Sequence, residues 1–273
     1  MKLGILSLIC CFVIVQVYFA CNTTNQNTFK TRKSIEILDM EVDKLGNYYM
    51  IDSENNIKKF DNKQNLLNSY SNNQFGIPAM IDVNNPHKIL VFYKQQQTLV
   101  FLDNTLSEIS IISLNPNFLY DAAGMANDGN IWLFDSYYYK LVKIDFKAEK
   151  IDESFPFEGI NPSKISGNKI IERENYVMIV TNNNVIYLYN NSGYFIKKLH
   201  LPGIVKPTIL NDKIYYFDKI NNSYYSYDLK YNEKNLIYKF KKYKPSVVLY
   251  ENNKFYALIK DKVVIIPPNE RNY

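Results

Sequence analysis

Two stretches of the sequence decide the fold, MEVDKLGNYYMIDSENNIKKFD (residues 40–61) and GMANDGNIWLFDSYYYKLVKID (residues 124–145). Each has an apolar segment, a turn containing Gly-Asn, a second apolar segment ending in Asp-Ser, and a third segment ending in Asp. Short segments rich in Ile, Val, Tyr and Phe, bounded by Asn, Asp and Gly, are typical of β-strands. The two stretches therefore predict a repeated unit of antiparallel strands.

The same unit recurs along the chain. Weaker copies cover residues 80–103 and 209–228, and more degenerate copies cover 172–191 and 248–267. The residues that close the second strand of units 1 to 6 are Asp52, Tyr93, Asp135, Thr181, Asp218 and Lys260. Their spacings are 41, 42, 46, 37 and 42 residues. A period near 40 with four short strands per unit predicts β-propeller blades, and no segment after the N-terminal run has the apolar period of a long helix.

The last unit is one strand short. Units 1 to 5 each supply four strands, whereas unit 6 supplies PSVVLY, KFYALIK and KVVIIP. We expect KSIEIL (33–38) to be the missing fourth strand, because closing the ring would cover a bare sheet edge. The sequence thus predicts an all-β, six-bladed β-propeller over residues 33–267, followed by a tail at 268–273.

The N-terminus has the pattern of an export signal. Residues 1–20 carry one basic residue, Lys2, then an apolar run that ends in Ala20. A retained membrane helix is the alternative, but Leu3–Ala20 is at the short end of a bilayer span and contains Gln16. The polar residues 21–32 that follow are predicted to be a flexible tether.

All three cysteines, Cys10, Cys11 and Cys21, lie in or beside this signal. Its removal would leave one at most, so a disulfide framework is not expected. A lone Cys21 directly after Ala20 resembles the lipobox of bacterial lipoproteins. The resemblance implies cleavage before Cys21 and acylation of that residue, and several acyl chains give lasting membrane attachment. Residues 22–28 lack the acidic residues that surface-exported lipoproteins of this kind typically carry, so the resemblance implies an outer-membrane lipoprotein that faces the periplasm.

Units 1 and 3 resemble blades of the NHL type. The matching residues are Val42-Asp43, Gly46-Asn47, Tyr49 and Asp52-Ser53 in unit 1, and Ala126, Asp128-Gly129-Asn130, Trp132 and Asp135-Ser136 in unit 3. With the lipobox-like start and the composition, the chain resembles the six-bladed propeller lipoproteins of Bacteroidota. The resemblance implies an envelope protein.

Within a unit, these residues have structural roles. Gly46 and Gly129 allow a positive φ in the first turn. Asp52 and Asp135 end the second strand and are placed to bond the amides of the next turn. Trp132 is expected to pack between units rather than to stack on a ligand.

Catalytic motifs are absent from the sequence. His87 and His200 are far apart, no spacing suits zinc, and no EF-hand, P-loop or G-x-S-x-G motif occurs. We therefore predict no enzyme activity, no metal and no cofactor beyond the lipid on Cys21. The alternative is a Ca²⁺-dependent, lactonase-like hydrolase, whose six-bladed architecture this chain resembles. Its candidate ligands would be Asp82, Asp121 and Asn211.

The surface chemistry favours protein partners. The net charge is +5, but the chain has only three arginines, so nucleic-acid binding is not expected. Tyr137, Tyr138 and Tyr139 follow a strand end, and tyrosines in such a loop suit an interface. The sequence predicts a non-catalytic interaction scaffold, monomeric within a hetero-complex of envelope or outer-membrane proteins. The alternative binding function is a glycan or peptide module at the mouth of the ring.

Overall fold

The computed structural model describes residues 35–154, 167–181 and 183–268. Its regular structure in these ranges is entirely β-strand, so the all-β prediction is confirmed. The strands follow one another as six antiparallel meanders, which correspond to units 1 to 6. Residues 1–20, Cys21, the tether at 21–32 and residues 269–273 lie outside the described residues.

The first three units contain four strands each. Unit 1 comprises β1 (Ile37–Val42), β2 (Tyr48–Asp52), β3 (Asn56–Phe60) and β4 (Leu66–Ser71). Unit 2 comprises β5 (Met80–Asp82), β6 (Ile89–Tyr93), β7 (Thr98–Leu102) and β8 (Glu108–Ser113). Unit 3 comprises β9 (Tyr120–Met125), β10 (Ile131–Asp135), β11 (Lys140–Ile144) and β12 (Lys150–Glu153).

The last three units repeat this order. Unit 4 comprises β13 (Gly167–Arg173), β14 (Tyr176–Thr181), β15 (Val185–Asn190) and β16 (Phe195–His200). Unit 5 comprises β17 (Ile204–Leu210), β18 (Lys213–Asp218), β19 (Ser223–Asp228) and β20 (Glu233–Lys239). Unit 6 comprises β21 (Val247–Glu251), β22 (Lys254–Ile259) and β23 (Lys262–Ile266). Within the described residues, no helix is long and apolar enough to cross a membrane.

The first strands of the units form the inner layer of the molecule. Each contacts the first strand of the next unit, and β1 contacts β21. Between units 3 and 4 the approach is close enough for a parallel bridge between Ala123 and Lys169. A Cβ on Gly124 would collide with the backbone carbonyl of Ile170. Only glycine therefore fits at this position.

The second strands lie between neighbouring sheets and bury both faces. β2, β6 and β10 are buried at every position. Trp132 of β10 has no exposed surface and packs with Ile170 and Val177 of unit 4. Its Nε1 donates a hydrogen bond to Glu172 Oε2 at 2.6 Å, which satisfies the buried indole. Trp132 thus packs between units, as expected.

One strand prediction is wrong. KSIEIL (33–38) was expected to be the fourth strand of unit 6, but Ile37 belongs to β1 and lies opposite Asp52. The backbone N–H of Ser53 also donates to the Glu36 carbonyl oxygen. No Gly, Pro or Asn separates Ile35 from Val42, so the chain continues as one strand with a bulge between Ile37 and Asp39. Residues 33 and 34 lie outside the described part.

The first and last units contact each other directly. Asn252 Nδ2 donates to the Lys44 carbonyl oxygen at 3.0 Å, and Tyr256 packs against Tyr48 with 6.5 Å between ring centroids. In the described residues, β23 has no strand on its outer edge. Side-chain packing, rather than a shared strand, therefore joins unit 6 to unit 1 in this part of the chain.

Candidate functional site

Inner strands of units 1, 2, 4, 5 and 6 line a central cavity of about 450 Å³, which we call the tunnel. Its walls are mostly apolar, and a cluster of four charged side chains crosses it. Lys169 Nζ lies 2.6 Å from Glu41 Oε1, and Lys206 Nζ lies 2.8 Å from the same oxygen. Lys206 also pairs with Asp39 Oδ1 at 2.6 Å. Units 1, 4 and 5 each contribute to this cluster, which we call the tunnel ion cluster.

The two lysines hold Glu41 ionised. Burial alone would raise the pKa of Glu41, but attraction and hydrogen bonds from Lys169 and Lys206 outweigh it, and the pKa is lowered. Burial alone would lower the pKa of Lys206, but attraction and hydrogen bonds from Asp39 and Glu41 outweigh burial, and the pKa is raised. The charges of the tunnel ion cluster satisfy one another, which suits a structural cross-brace better than acid–base chemistry.

A larger cavity of about 690 Å³ opens on the side of the turns between first and second strands. It extends from the tunnel axis outward between units 5 and 6, and we call it the groove. Its apolar wall contains Ile209, Leu210 and Ile237, and its aromatic wall contains Tyr215, Tyr224 and Tyr250. At the axis end lie Lys44, Asn127, Arg173, Glu174, Glu251 and Asn252.

On the opposite side, the turn between the second and third strands of unit 3 carries an exposed apolar surface. Tyr137 is 70% exposed, Leu119 53% and Tyr138 49%. The rings of Tyr137 and Tyr138 lie 4.8 Å apart, and Phe118 lies 6.2 Å from Tyr138. We call Phe118, Leu119, Tyr137 and Tyr138 the aromatic corner. Such a contiguous patch of large side chains is typical of a protein contact surface.

The backbone beneath the aromatic corner is strained. Tyr139 is half-buried and has φ +54°, a left-handed conformation that is unfavourable for a bulky residue. The matching positions of units 2 and 5 are also left-handed, but they hold Gln97 and Asn222. Both amides donate to backbone carbonyls, Gln97 to Tyr120 at 2.9 Å and Asn222 to Tyr243 at 2.7 Å. Unit 3 has a tyrosine where the other two units have an amide that stabilises the turn.

The carboxylate under the same turn is also only partly satisfied. Asp135 Oδ1 accepts the N–H groups of Tyr137 and Tyr138 at 2.9 and 3.0 Å. Its Oδ2 is buried and has no hydrogen-bond partner in the described residues. In unit 5 the matching oxygen of Asp218 accepts hydrogen bonds from Asn221 Nδ2 at 2.7 Å and Lys234 Nζ at 2.9 Å.

The structure places the sequence-predicted sites separately. Tyr137 and Tyr138 share one surface, whereas Tyr139 packs inward against the core between units 3 and 4. Asp82 is buried and accepts the Met125 N–H, Asp121 pairs with Lys94 at 2.8 Å, and Asn211 lies in an exposed turn. The three proposed calcium ligands are therefore not brought together. Across the described ranges, no three His, Cys, Asp or Glu side chains are grouped to hold a metal.

Sequence reasoning missed the tunnel ion cluster and Arg173. Their members come from several units, and no local motif joins them. A signal was nevertheless present in the first strands, where Glu41 and Lys206 interrupt apolar runs. A charged residue on an inner strand that is otherwise apolar indicates a partner across the ring.

Comparison with known proteins supports a propeller-like fold. No family model and no curated protein matches the chain. A catalytically inactive virginiamycin B lyase from Staphylococcus aureus with quinupristin is similar in structure, with a TM-score of 0.58, 15% identity, and 88% of this chain and 87% of that chain covered. A Bacteroides caccae protein of unknown function has a TM-score of 0.56 and 11% identity, covering 74% and 78%. The Pan2 WD40 domain of Neurospora crassa has a TM-score of 0.55 and 11% identity, covering 85% and 78%. At these identities the likeness shows the fold alone: this chain is all-β and propeller-like.

Proposed function

We propose that the chain is a non-catalytic, lipid-anchored envelope protein that binds a partner protein through the aromatic corner. Its role would be that of an accessory subunit in an outer-membrane assembly, secretion or uptake complex. Residues 33–267 would form a six-bladed ring that is closed by the packing of unit 6 on unit 1. Cys21 would carry the lipid anchor.

The observation that carries this proposal is the departure of unit 3 from unit 5. Three features that lower stability occur together: exposed Tyr137 and Tyr138, a left-handed Tyr139, and a buried oxygen of Asp135 without a partner in the described residues. Local features that oppose folding concentrate at functional sites, where a binding requirement maintains them. Large, rigid tyrosine side chains also bring contact area at low entropic cost.

Site-specific photocrosslinking in intact cells tests the proposal. A photoreactive phenylalanine analogue would replace Tyr137 in the aromatic corner. A matched analogue would replace Tyr231, which is 64% exposed and lies in the turn between the third and fourth strands of unit 5. We expect one discrete protein adduct from position 137 and none from position 231. The absence of an adduct at 137, or equal adducts at both positions, would contradict the proposal.

The anchor is tested separately. We expect Cys21→Ala to move the protein from the membrane fraction to the soluble fraction, because the acyl chains supply the attachment. The melting temperature should stay unchanged, since Cys21 precedes the predicted propeller. Retention in the membrane fraction would instead indicate an uncleaved N-terminal helix.

A further inference from the structure

The groove has two chemically different halves. Its inner half, at the tunnel axis, is polar and contains Arg173, Glu174 and Glu251. Its outer half follows the boundary between units 5 and 6 and ends at Ile237, which is 44% exposed. A volume of about 690 Å³ is within the range of small-molecule sites, and such sites combine apolar walls with a few orienting polar groups.

Arg173 is the orienting group with an unused donor. It is the single arginine among the described residues, and it reaches across the tunnel so that its Nη2 donates to Asn84 Oδ1 at 2.5 Å. Its Nε–H is buried and has no acceptor in the described residues. A buried donor without an acceptor is unfavourable, so an acceptor supplied by a ligand would be stabilising.

The two carboxylates at this end limit the charge of the ligand. Glu174 already accepts the Asn211 N–H with both oxygens, at 2.9 and 3.1 Å. Burial raises the pKa of Glu251 above its ordinary value, although the nearby Arg173 opposes this. A ligand group with two negative charges would be repelled by both acids, whereas a single carboxylate would meet Arg173 with less opposition.

The outer half specifies the rest of the ligand. Ile209, Leu210 and Ile237 form an apolar wall, and Tyr224 and Tyr250 face the same space with ring centroids 6.1 Å apart. These side chains offer no charge and a large area for an aliphatic or aromatic body. The groove therefore favours a molecule with one anionic end and one apolar end.

We propose that the groove binds a monocarboxylate with an extended apolar or aromatic body. The carboxylate lies at the axis end, where the Arg173 guanidinium turns to donate two parallel hydrogen bonds to it. The body lies between units 5 and 6 against Tyr250 and Ile237. This site is on the opposite side of the molecule from the aromatic corner, so its occupancy is independent of the proposed partner contact.

Calorimetric titration of the purified full chain with phenylbutyrate and with phenylbutyramide tests the proposal. The two probes share one body and differ in the charge of the head group. We expect saturable binding of phenylbutyrate, with the amide bound about tenfold more weakly because it cannot form the charge-assisted pair. Equal affinity for the two probes, or no saturable binding of either, would overturn the proposal.

Two variants and one matched control test which half of the groove binds the carboxylate and which binds the apolar body. Arg173→Lys keeps the charge but lacks the planar fork, and it should weaken phenylbutyrate about tenfold while leaving the amide unchanged. Ile237→Asp should weaken both probes alike. Ile196→Asp, at an isoleucine 47% exposed on the fourth strand of unit 4, is the matched control and should change neither. Unchanged phenylbutyrate affinity in Arg173→Lys would overturn the proposal. If that variant did not fold, the comparison of acid and amide on the unsubstituted chain would decide.

Discussion

The turns that follow the second strands of units 3 and 5 have the same backbone but opposite side-chain chemistry. Asp135 Oδ1 accepts the N–H groups two and three residues ahead, and Asp218 Oδ1 does the same at 3.0 Å each. Both turns then pass through a left-handed residue, Tyr139 or Asn222. In unit 5 the second oxygen of Asp218 and the amide of Asn222 have hydrogen-bond partners. In unit 3 the second oxygen of Asp135 has none in the described residues, and tyrosines cover the surface.

The two turns share the hydrogen bonds from the turn amides to one carboxylate oxygen and differ in the partners of the second oxygen and in the left-handed residue. In the turns of units 3 and 5 one carboxylate oxygen satisfies two amides, because buried N–H groups without acceptors are unfavourable. The second oxygen and the left-handed side chain are free to vary. Unit 5 uses them for stability, and unit 3 gives that stability up beside an exposed surface, which is the pattern expected where selection acts on binding.

The largest expected effect is the loss of the unit 5 carboxylate. Asp218→Ala removes the acceptor of two turn amides and leaves Asn221 and Lys234 without their partner. We expect a loss of about 3 kcal/mol of unfolding free energy. Asp135→Ala removes the single acceptor of two turn amides but also an unsatisfied buried oxygen, and the unfolding free energy should fall by only about 1 kcal/mol. Urea denaturation measures both, and equal losses would contradict the comparison.

A reciprocal exchange of the left-handed residues comes next. Asn222→Tyr removes hydrogen bonds to the carbonyl oxygens of Phe240 and Tyr243 and places a bulky residue at φ +52°. We expect it to destabilise by about 2 kcal/mol. Tyr139→Asn relieves the same strain but gives up packing against the core, and should change stability by less than about 1 kcal/mol. If Tyr139→Asn were the more damaging change, packing rather than turn conformation would dominate at this position.

The sequence was sufficient to predict the features of the fold that depend on contacts between residues close together in the chain. Gly46 and Gly129 have φ of +83° and +87°, as the Gly-Asn turns predict, and Asp52 and Asp135 bond the turn amides that follow them. Each of these contacts spans four residues or fewer. Composition and residue order alone therefore determine them.

Contacts between units could not be predicted in the same way. Lys169 and Glu41 are separated by 128 residues, so their ion pair depends on how the sheets are placed around the axis. The sequence did not single out Gly124, because the atom that excludes a Cβ there belongs to Ile170 in another strand, β13. Of the candidate site, the tyrosines were visible in the sequence, but the strain beneath them appeared only when unit 3 was compared with units 2 and 5.

A single substitution should make unit 3 more like unit 5. Tyr138 stands where unit 5 has Asn221, whose Nδ2 donates to the second oxygen of Asp218. Tyr138→Asn should supply that donor to Asp135 and raise the unfolding free energy by about 1 kcal/mol. The same variant should weaken the crosslink from position 137, because half of the tyrosine pair is lost. A variant that is both less stable and still crosslinked would show that Tyr138 serves the fold.

The smallest expected effect is a pH dependence present in unit 5. Burial alone would raise the pKa of Asp218, but hydrogen bonds from Asn221 and Lys234 outweigh it and hold the pKa below its ordinary value of 3.8. A lowered pKa adds stability above the unfolded-state value, and this is lost as the pH falls through the folded-state value. Asp218→Asn keeps an oxygen for the turn amides and removes the ion pair. Because Lys234 is 38% exposed, the variant should be less stable at neutral pH by no more than about 1 kcal/mol. The difference in unfolding free energy between Asp218→Asn and the unsubstituted chain should disappear as the pH falls. If urea titrations gave the same difference in unfolding free energy from neutral pH down to a pH of about 3, the ion pair with Lys234 would add no stability.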